Sequence, residues 1–329
     1  MSTLLDAQFG FKAESTWGTA VAVTRFGEFM SESLKPNYQV LTGAGFRPGA
    51  RAVRSDRVAR GGMIGLSGSV TWQPLTKGDS NISGLLAAAL GSVSSTTTAT
   101  DSVYTHTGTY GDLAGDSLTV QIGRPDTSGT VQPFTYAGCK VGGLTLKNSL
   151  DGILEATLDI AHAKSETTST SLASASYTSG AELFSWGGGG LTVAGSAVNV
   201  TDVSFSLRNS LKIRRYLGGG QAEPLENGIR EAMCSFTMEF ESLTMLNRIR
   251  ALTASAGQAK IVGTWNGPTL AGVSAYPQII ATMEIADFTG DYVSTNGQDM
   301  IMLTVQAVAR YDGTNSPFKI EVKSTDSTP

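Results

Sequence analysis

The chain has 329 residues, 40% of them apolar, so it is long enough for two or three domains with sizeable cores. Only 16% are charged, whereas 39 are glycine and many are serine or threonine, which favours short strands and turns over long charged helices. The net charge of −4 disfavours nucleic acid or anionic membranes as main partners. The apolar runs are short and the start MSTLLDAQFG lacks a secretory pattern, so we expect no membrane association and a protein that stays in the cytoplasm until it is assembled.

The first strongly patterned segment is MIGLSGSVTWQP, residues 63–74, which follows a loop rich in glycine and arginine. Its apolar residues alternate at period two, which predicts a strand with one buried face. The next segment, GDSNISGLLAAALG, has an N-cap candidate at Asp79 or Ser80 and ends at Gly91. Its apolar residues have helical spacing, which predicts a short amphipathic helix.

The middle of the chain alternates between polar segments and predicted strands. Residues 92–112, rich in serine and threonine, are predicted to form an exposed loop or insertion. Strands are predicted at 117–123, 133–148 and 152–163, the last two joined by a turn. Residues 164–190 are polar and end in SWGGGG, which predicts a linker; these glycines lack the G-x-G-x-x-G arrangement of a nucleotide site.

Beyond the linker, the predicted elements return in the same order. A strand or ladder at 200–217 and a strand at 233–240 precede a helix that begins after Ser242 and ends at Gly257, and further strands follow. We therefore predict an internal duplication.

The offsets between the halves support this duplication only loosely. Met63 and Met233 are 170 positions apart, but later matches are 140 apart, and the difference falls in the insertion rich in serine and threonine. A competing match in another register, LKNSL (146–150) with LRNSL (207–211), remains open.

Residues that could carry chemistry are few and scattered. Cys139 and Cys234 belong to no CxxC pair and are expected to be buried free thiols. His106 and His162 have no carboxylate or cysteine at ligand spacing, so each is expected to be solvated or hydrogen-bonded. A triad assembled in space stays open, but no G-x-S-x-G elbow is present, and we expect a protein that is not an enzyme and has no cofactor and no metal.

The strongest charge pattern is a series of five arginines in the glycine-rich loop, balanced only by Asp56: Arg47, Arg51, Arg54, Arg57 and Arg60. One interpretation is a solvated, mobile loop. The other is a docking arm for an acidic surface on a partner subunit, because arginine pairs with carboxylates in a bidentate way. Phosphate binding is a weaker third alternative.

Several short motifs occur in an order that resembles a known family. ESTWGTAV (14–21) precedes FGEFMSES, the arginine loop, GSVTWQP (68–74) and LLAAALG (85–91). Together these motifs resemble the N-terminal half of the major tail proteins, or tail tube proteins, of long-tailed bacteriophages. The resemblance covers about the first 95 residues.

The resemblance implies a mainly β fold, forming β-sandwiches or barrels with short flanking helices, and the duplication implies two copies of it. It also implies a structural virion protein in the phage tail, whose subunits form rings that stack into a hollow tube. DNA would pass through the lumen without specific binding, and the tape measure protein and the tail-end proteins would be partners. On this interpretation the five arginines are candidates for contacts between rings.

The predicted organisation is an N-terminal arm (1–25), a first tail-tube-like domain (26–164), a linker (165–197), a second such domain (198–311) and a polar, partly mobile tail (312–329). With two copies per chain, three chains would form a pseudo-sixfold ring, which we favour over a ring of six chains. Rival interpretations are another tail component, such as a terminator or baseplate hub, and a carbohydrate-binding module rich in β-structure that uses some of the four tryptophans.

Overall fold

The computed structural model describes residues 4–45, 47–49, 51–98, 103–218, 220–268, 275–290 and 300–329. Strands make up 55% of the chain and helices 9%, which confirms the mainly β fold class. The strands of the first half are β1 (Gln8–Ala13), β2 (Arg25–Gly27), β3 (Phe29–Glu32), β4 (Lys35–Thr42), β5 (Val58–Trp72), β6 (Gly91–Thr98), β7 (Val103–Tyr110), β8 (Leu118–Pro125), β9 (Val131–Ser149), β10 (Glu155–His162) and β11 (Ser165–Thr167).

The strands of the second half are β12 (Gly189–Val193), β13 (Ser196–Val198), β14 (Asp202–Arg208), β15 (Leu211–Arg215), β16 (Gln221–Glu226), β17 (Glu231–Glu239), β18 (Gln258–Asn266), β19 (Gln278–Gly290), β20 (Met302–Arg310) and β21 (Phe318–Ser324). The α-helices are α1 (Leu86–Leu90), α2 (Leu243–Ile249) and α3 (Ala254–Gly257). Short 3₁₀ turns occupy Leu4–Asp6, Ser55–Arg57, Ile82–Leu85 and Trp186–Gly188.

Strand pairing in the first half follows one continuous path. β2 pairs with β1, β1 with β8, and β8 with the first part of β9. The second part of β9 pairs with β10, β10 with the second part of β5, and β5 with β3. β11 adds to the first part of β9.

Strand pairing in the second half takes the same order. β13 pairs with β12, β12 with β18, and β18 with β19. The second part of β19 pairs with β20, β20 with β17, and β17 with β14, while β21 adds to the first part of β19. The β8–β9 and β18–β19 ladders even share one irregularity, at which one residue of the first strand and two of the second are skipped.

The two halves join where β14 pairs with the second part of β9. This pairing creates an eight-strand antiparallel sheet in the order β3-β5-β10-β9-β14-β17-β20-β19. We call the edge where β3 and β14 end the upper edge, and the edge where β5 and β17 end the lower edge. One face of this sheet is buried, since apolar residues alternate along β10, β14 and β17.

A single hydrophobic core lies against that buried face. It contains Trp72 and Trp265, both almost fully buried, and the ring of Phe205 meets that of Trp265 edge to face at 6.0 Å. The helix α1 contributes Leu86 and Leu90, which have no exposed surface. Each such side chain stabilises the fold by about 1.5–3 kcal/mol.

The segment predicted as an exposed loop at 92–112 is instead largely the hairpin β6–β7, so that prediction is wrong. Threonine is β-branched and favours strands, and the hairpin gains a buried face because β7 pairs with β21. The prediction of a partly mobile tail at 312–329 is also wrong for β21. Its residues Phe318, Ile320 and Val322 are buried, and charged residues alternate with them.

Helix ends and strand ends differ in detail from the predictions. The N-cap of the first helical segment is Asn81, whose side chain accepts a hydrogen bond from the amide of Ser83, rather than Asp79 or Ser80. Ser242 caps α2 as predicted, but the helical segment breaks after Ile249 and resumes as α3. The ladder predicted at 200–217 divides into β14 and β15.

The N-terminal arm is fixed to the first half by a buried carboxylate, Glu14. Its oxygens accept hydrogen bonds from the amides of Gly18 and Gly138 and from the hydroxyls of Ser117 and Thr119, at 2.7–2.8 Å. The motif ESTWGT is therefore structural, because its acid ties the arm to β8 and β9.

Candidate assembly surfaces

The five arginines lie together on one long projection, the arginine hairpin (residues 35–67). It is built from β4 and the first part of β5, which continues past the upper edge of the eight-strand sheet. All five arginine side chains are exposed. The side chain of Arg54 pairs with Asp56 at 2.9 Å. The side chains of the other four arginines form no hydrogen bond or ion pair within the described part of the chain.

The arginine hairpin also exposes apolar side chains. Tyr38, Val40, Leu41 and Val53 are each 52–58% exposed. Exposed aromatic and aliphatic groups beside arginine are typical of protein contact surfaces. The hairpin therefore exposes both charged and apolar groups.

The base of the arginine hairpin is firmly anchored. Arg124 donates to both carboxylate oxygens of Glu32, at 2.9 and 3.0 Å, and to the carbonyl of Leu34. Burial lowers the pKa of Arg124, but hydrogen bonding and charge from Glu32 and Tyr136 raise it overall. At Gly68, where β5 leaves the sheet with φ 145°, the carbonyl of Ser33 occupies the space that a Cβ would need.

A second hairpin, β15–β16, lies on the same upper edge and carries Lys212, Arg215, Tyr216 and Leu217 as exposed residues. It packs against the first half of the chain. The Gln221 side chain donates to the carbonyl of Met63 at 2.6 Å and meets the buried His162 at 3.0 Å. Burial lowers the pKa of His162; the Gln221 hydrogen bond raises it, and Arg215 lowers it further.

Two nearly buried cations hold the halves together at the upper edge. Lys140 forms an ion pair with Glu223 of the second hairpin at 2.5 Å and donates to the carbonyls of Leu113 and Asp116. Arg230 donates to the carbonyls of Leu90 and Gly111 and pairs with Glu226. Such buried charges are tolerated because each has several acceptors.

The exposed face of the eight-strand sheet is rich in hydroxyl groups; we call it the hydroxyl face. Between its edges it presents Ser69, Thr71, Thr145, Thr157, Ser204, Ser206, Ser235, Thr237, Thr289 and Thr304. Charged side chains are fewer on this face: Lys147 lies opposite Ser204 and Glu155, and Asp159 lies opposite Ser69. The face is therefore mainly polar and hydrated.

The lower edge is acidic. The carboxylate edge consists of Glu28, Asp151, Glu155, Asp202, Glu239 and Glu241, all at least partly exposed. Within the described residues, no lysine or arginine forms an ion pair with any of them, although Lys147 lies opposite Glu155 in the ladder. The sequence analysis missed this surface because its members come from four separate segments.

The cysteines and His106, which were also candidates for chemistry, are buried within the fold. Cys139 and Cys234 are buried free thiols, as predicted, and burial raises the pKa of both, so they are poor nucleophiles. His106 is buried and hydrogen-bonded to Ser95 and to the carbonyl of Asp326. Among the described residues there is no group of three or more metal-binding side chains, and none of the helices there is long and apolar enough to span a membrane.

Anchored projections, open strand edges and a broad polar sheet define a structural protein built for self-association. Comparison with known families agrees: the model of the family described as phage tail tube protein matches residues 5–309. The chain belongs to this family and is a structural tail tube protein of the virion tail. No curated protein sequence matches it.

Proposed function

We propose that three copies of the chain form a ring with six similar fold units, and that such rings stack into the tail tube. The observation that carries this proposal is the repeated pairing order of the strands in the two halves. On this proposal the units reach beyond the predicted domains 26–164 and 198–311, with β1 added to the first and β12, β13 and β21 to the second. The predicted linker 165–197 then contributes strands to both units.

The junction between the two halves supplies the pattern for ring closure. Within the chain, β14 adds to the open side of β9. Among the described residues, the matching free edges are that of β3 and that of β19 at residues 288–290. If β3 of one chain adds to β19 of the next, three eight-strand sheets close into a barrel of 24 strands, and these sheets keep no free edge that could aggregate.

On this arrangement the hydroxyl face lines the lumen. Hydroxyl groups predominate on this face, and the cation Lys147 lies beside Glu155, so the face offers phosphates little net attraction. DNA therefore slides through without specific binding, and the tape measure protein occupies the same channel before ejection. Tail-end proteins cap the stack, and assembly takes place in the host cytoplasm.

A proline in β3 tests ring closure. Met30 is 55% exposed and has no register partner on β5, so Met30→Pro leaves the fold intact but disrupts the free edge. We expect the variant to remain a folded monomer, whereas Met30→Ala and the wild type form rings three times the 34.3 kDa chain mass. Native mass spectrometry and end-on electron micrographs provide the readout. Wild-type rings of six chains, or normal rings of Met30→Pro, would contradict the proposal.

A further inference from the structure

Charge is distributed very unevenly along the chain. Residues 43–60 contain five arginines and one aspartate, a net charge of +4, whereas the whole chain has −4. All other residues together therefore carry −8. In an assembly of identical chains, the best partner for the arginine hairpin is the body of another copy.

The geometry of the eight-strand sheet places the positive arginine hairpin and the carboxylate edge at opposite ends of the strands. The arginine hairpin leaves the upper edge, and the carboxylate edge is the lower edge of the same strands. On β17, the two ends are marked by Glu231 and Glu239, which lie on the same exposed face. Because the two edges lie on opposite sides of a ring, stacked rings bring unlike charges together.

We propose that the arginine hairpin of one ring docks on the carboxylate edge of the next ring. This inference rests on the ring proposed above and names the surface that receives its contacts. Bidentate pairing of guanidinium with carboxylate aligns the rings, and the exposed Tyr38, Val40 and Leu41 add apolar contact. Residues 58–67 extend about 33 Å at about 3.3 Å per residue, enough to reach across a ring boundary. The contact is head-to-tail, so every ring in a tube points the same way.

Two charge-reversed variants test this contact. The hairpin variant is Arg51→Glu with Arg54→Glu and Arg57→Glu, and the edge variant is Asp202→Lys with Glu239→Lys. The matched control is Asp159→Lys with Glu231→Lys, which changes two exposed strand carboxylates at the upper edge. Ring formation is measured by native mass spectrometry, and stacking is measured as tube length in electron micrographs.

We expect both variants to form normal rings but to lose long tubes, whereas the control retains them. A chain that carries both sets of reversals regains tubes, because its two surfaces are complementary again. Mixing preformed rings of the two variants also restores tubes, now with alternating rings. Long tubes from the edge variant alone, or no tubes from either combination, would overturn the inference. A wild type that forms no rings would instead contradict the ring proposal.

Discussion

At the residue scale, single buried polar groups fix the positions of the assembly elements. Glu14 satisfies four donors from three segments, and Lys140 joins the second hairpin to the first half. Neither role is readable from the sequence alone, because three of the four Glu14 donors lie more than 100 positions away and Glu223 lies 83 positions from Lys140. His162 belongs to the same group: through Gln221 it connects the second hairpin to the base of the arginine hairpin.

His162 makes the stability of the chain sensitive to mild acid. Burial lowers its folded pKa below the ordinary 6.5, so the unfolded chain binds a proton more readily between those two pKa values. The stabilisation is complete above about pH 6.5 and is lost as the pH falls towards the folded pKa. When urea unfolding is measured from pH 8 to pH 5, the free energy of unfolding should fall less for His162→Gln than for the wild type. Equal losses would mean that His162 is not the titrating group.

At the element scale, β21 connects the two halves at a second place, in addition to the β9–β14 pairing. It pairs with β19 on one side and with β7 on the other, so the insertion rich in serine and threonine in the first half is held by the C-terminal strand. The carbonyl of Asp326 reinforces this arrangement through its hydrogen bond with His106. The C-terminal region is thus part of the core of the chain.

Deleting residues 318–329 should prevent stable folding. The deletion removes three buried apolar side chains, each worth about 1.5–3 kcal/mol, from a chain whose stability is of the order of 5–15 kcal/mol. The milder change Ile320→Ala should cost about 2–5 kcal/mol. Thermal unfolding by circular dichroism measures both effects, with deletion of residues 327–329 as the control. A deletion variant that melts with the wild type would contradict a core role for β21.

The sequence predicts elements well where one residue pattern decides them. The period of two in residues 63–74 identifies the second part of β5, and Ser242 identifies the start of α2. It fails where pairing decides: β6 and β7 are polar and become strands because they pair with each other and β7 also pairs with β21. The arginine series was found because its members are close together in sequence, whereas the carboxylate edge exists only after four segments are brought together.

At the scale of the whole molecule, the proposed assembly has two kinds of contact. Contacts within its rings are main-chain pairings over an apolar core, and contacts between its rings are largely ionic. Salt acts very differently on the two kinds, because mobile ions screen exposed charges but leave buried hydrogen bonds and apolar contacts largely intact.

Salt should therefore shorten tubes without dissolving rings. The Debye length falls from about 10 Å at 0.1 M to about 3 Å at 1 M salt, which weakens pairing between the arginine hairpin and the carboxylate edge. Sedimentation and electron microscopy at both salt concentrations measure tube length and ring mass. If rings and tubes dissociate together, or if tubes are insensitive to salt, stacking does not depend on these charges.

The β9–β14 pairing also bears on how quickly a ring can form. Because a single chain already contains this junction, every second contact around the proposed ring is intramolecular. The effective concentration for the β9–β14 contact is set by the tether between the halves rather than by the concentration of free chains. A ring then needs only two encounters between chains, against five for six separate subunits, so assembly depends less steeply on protein concentration.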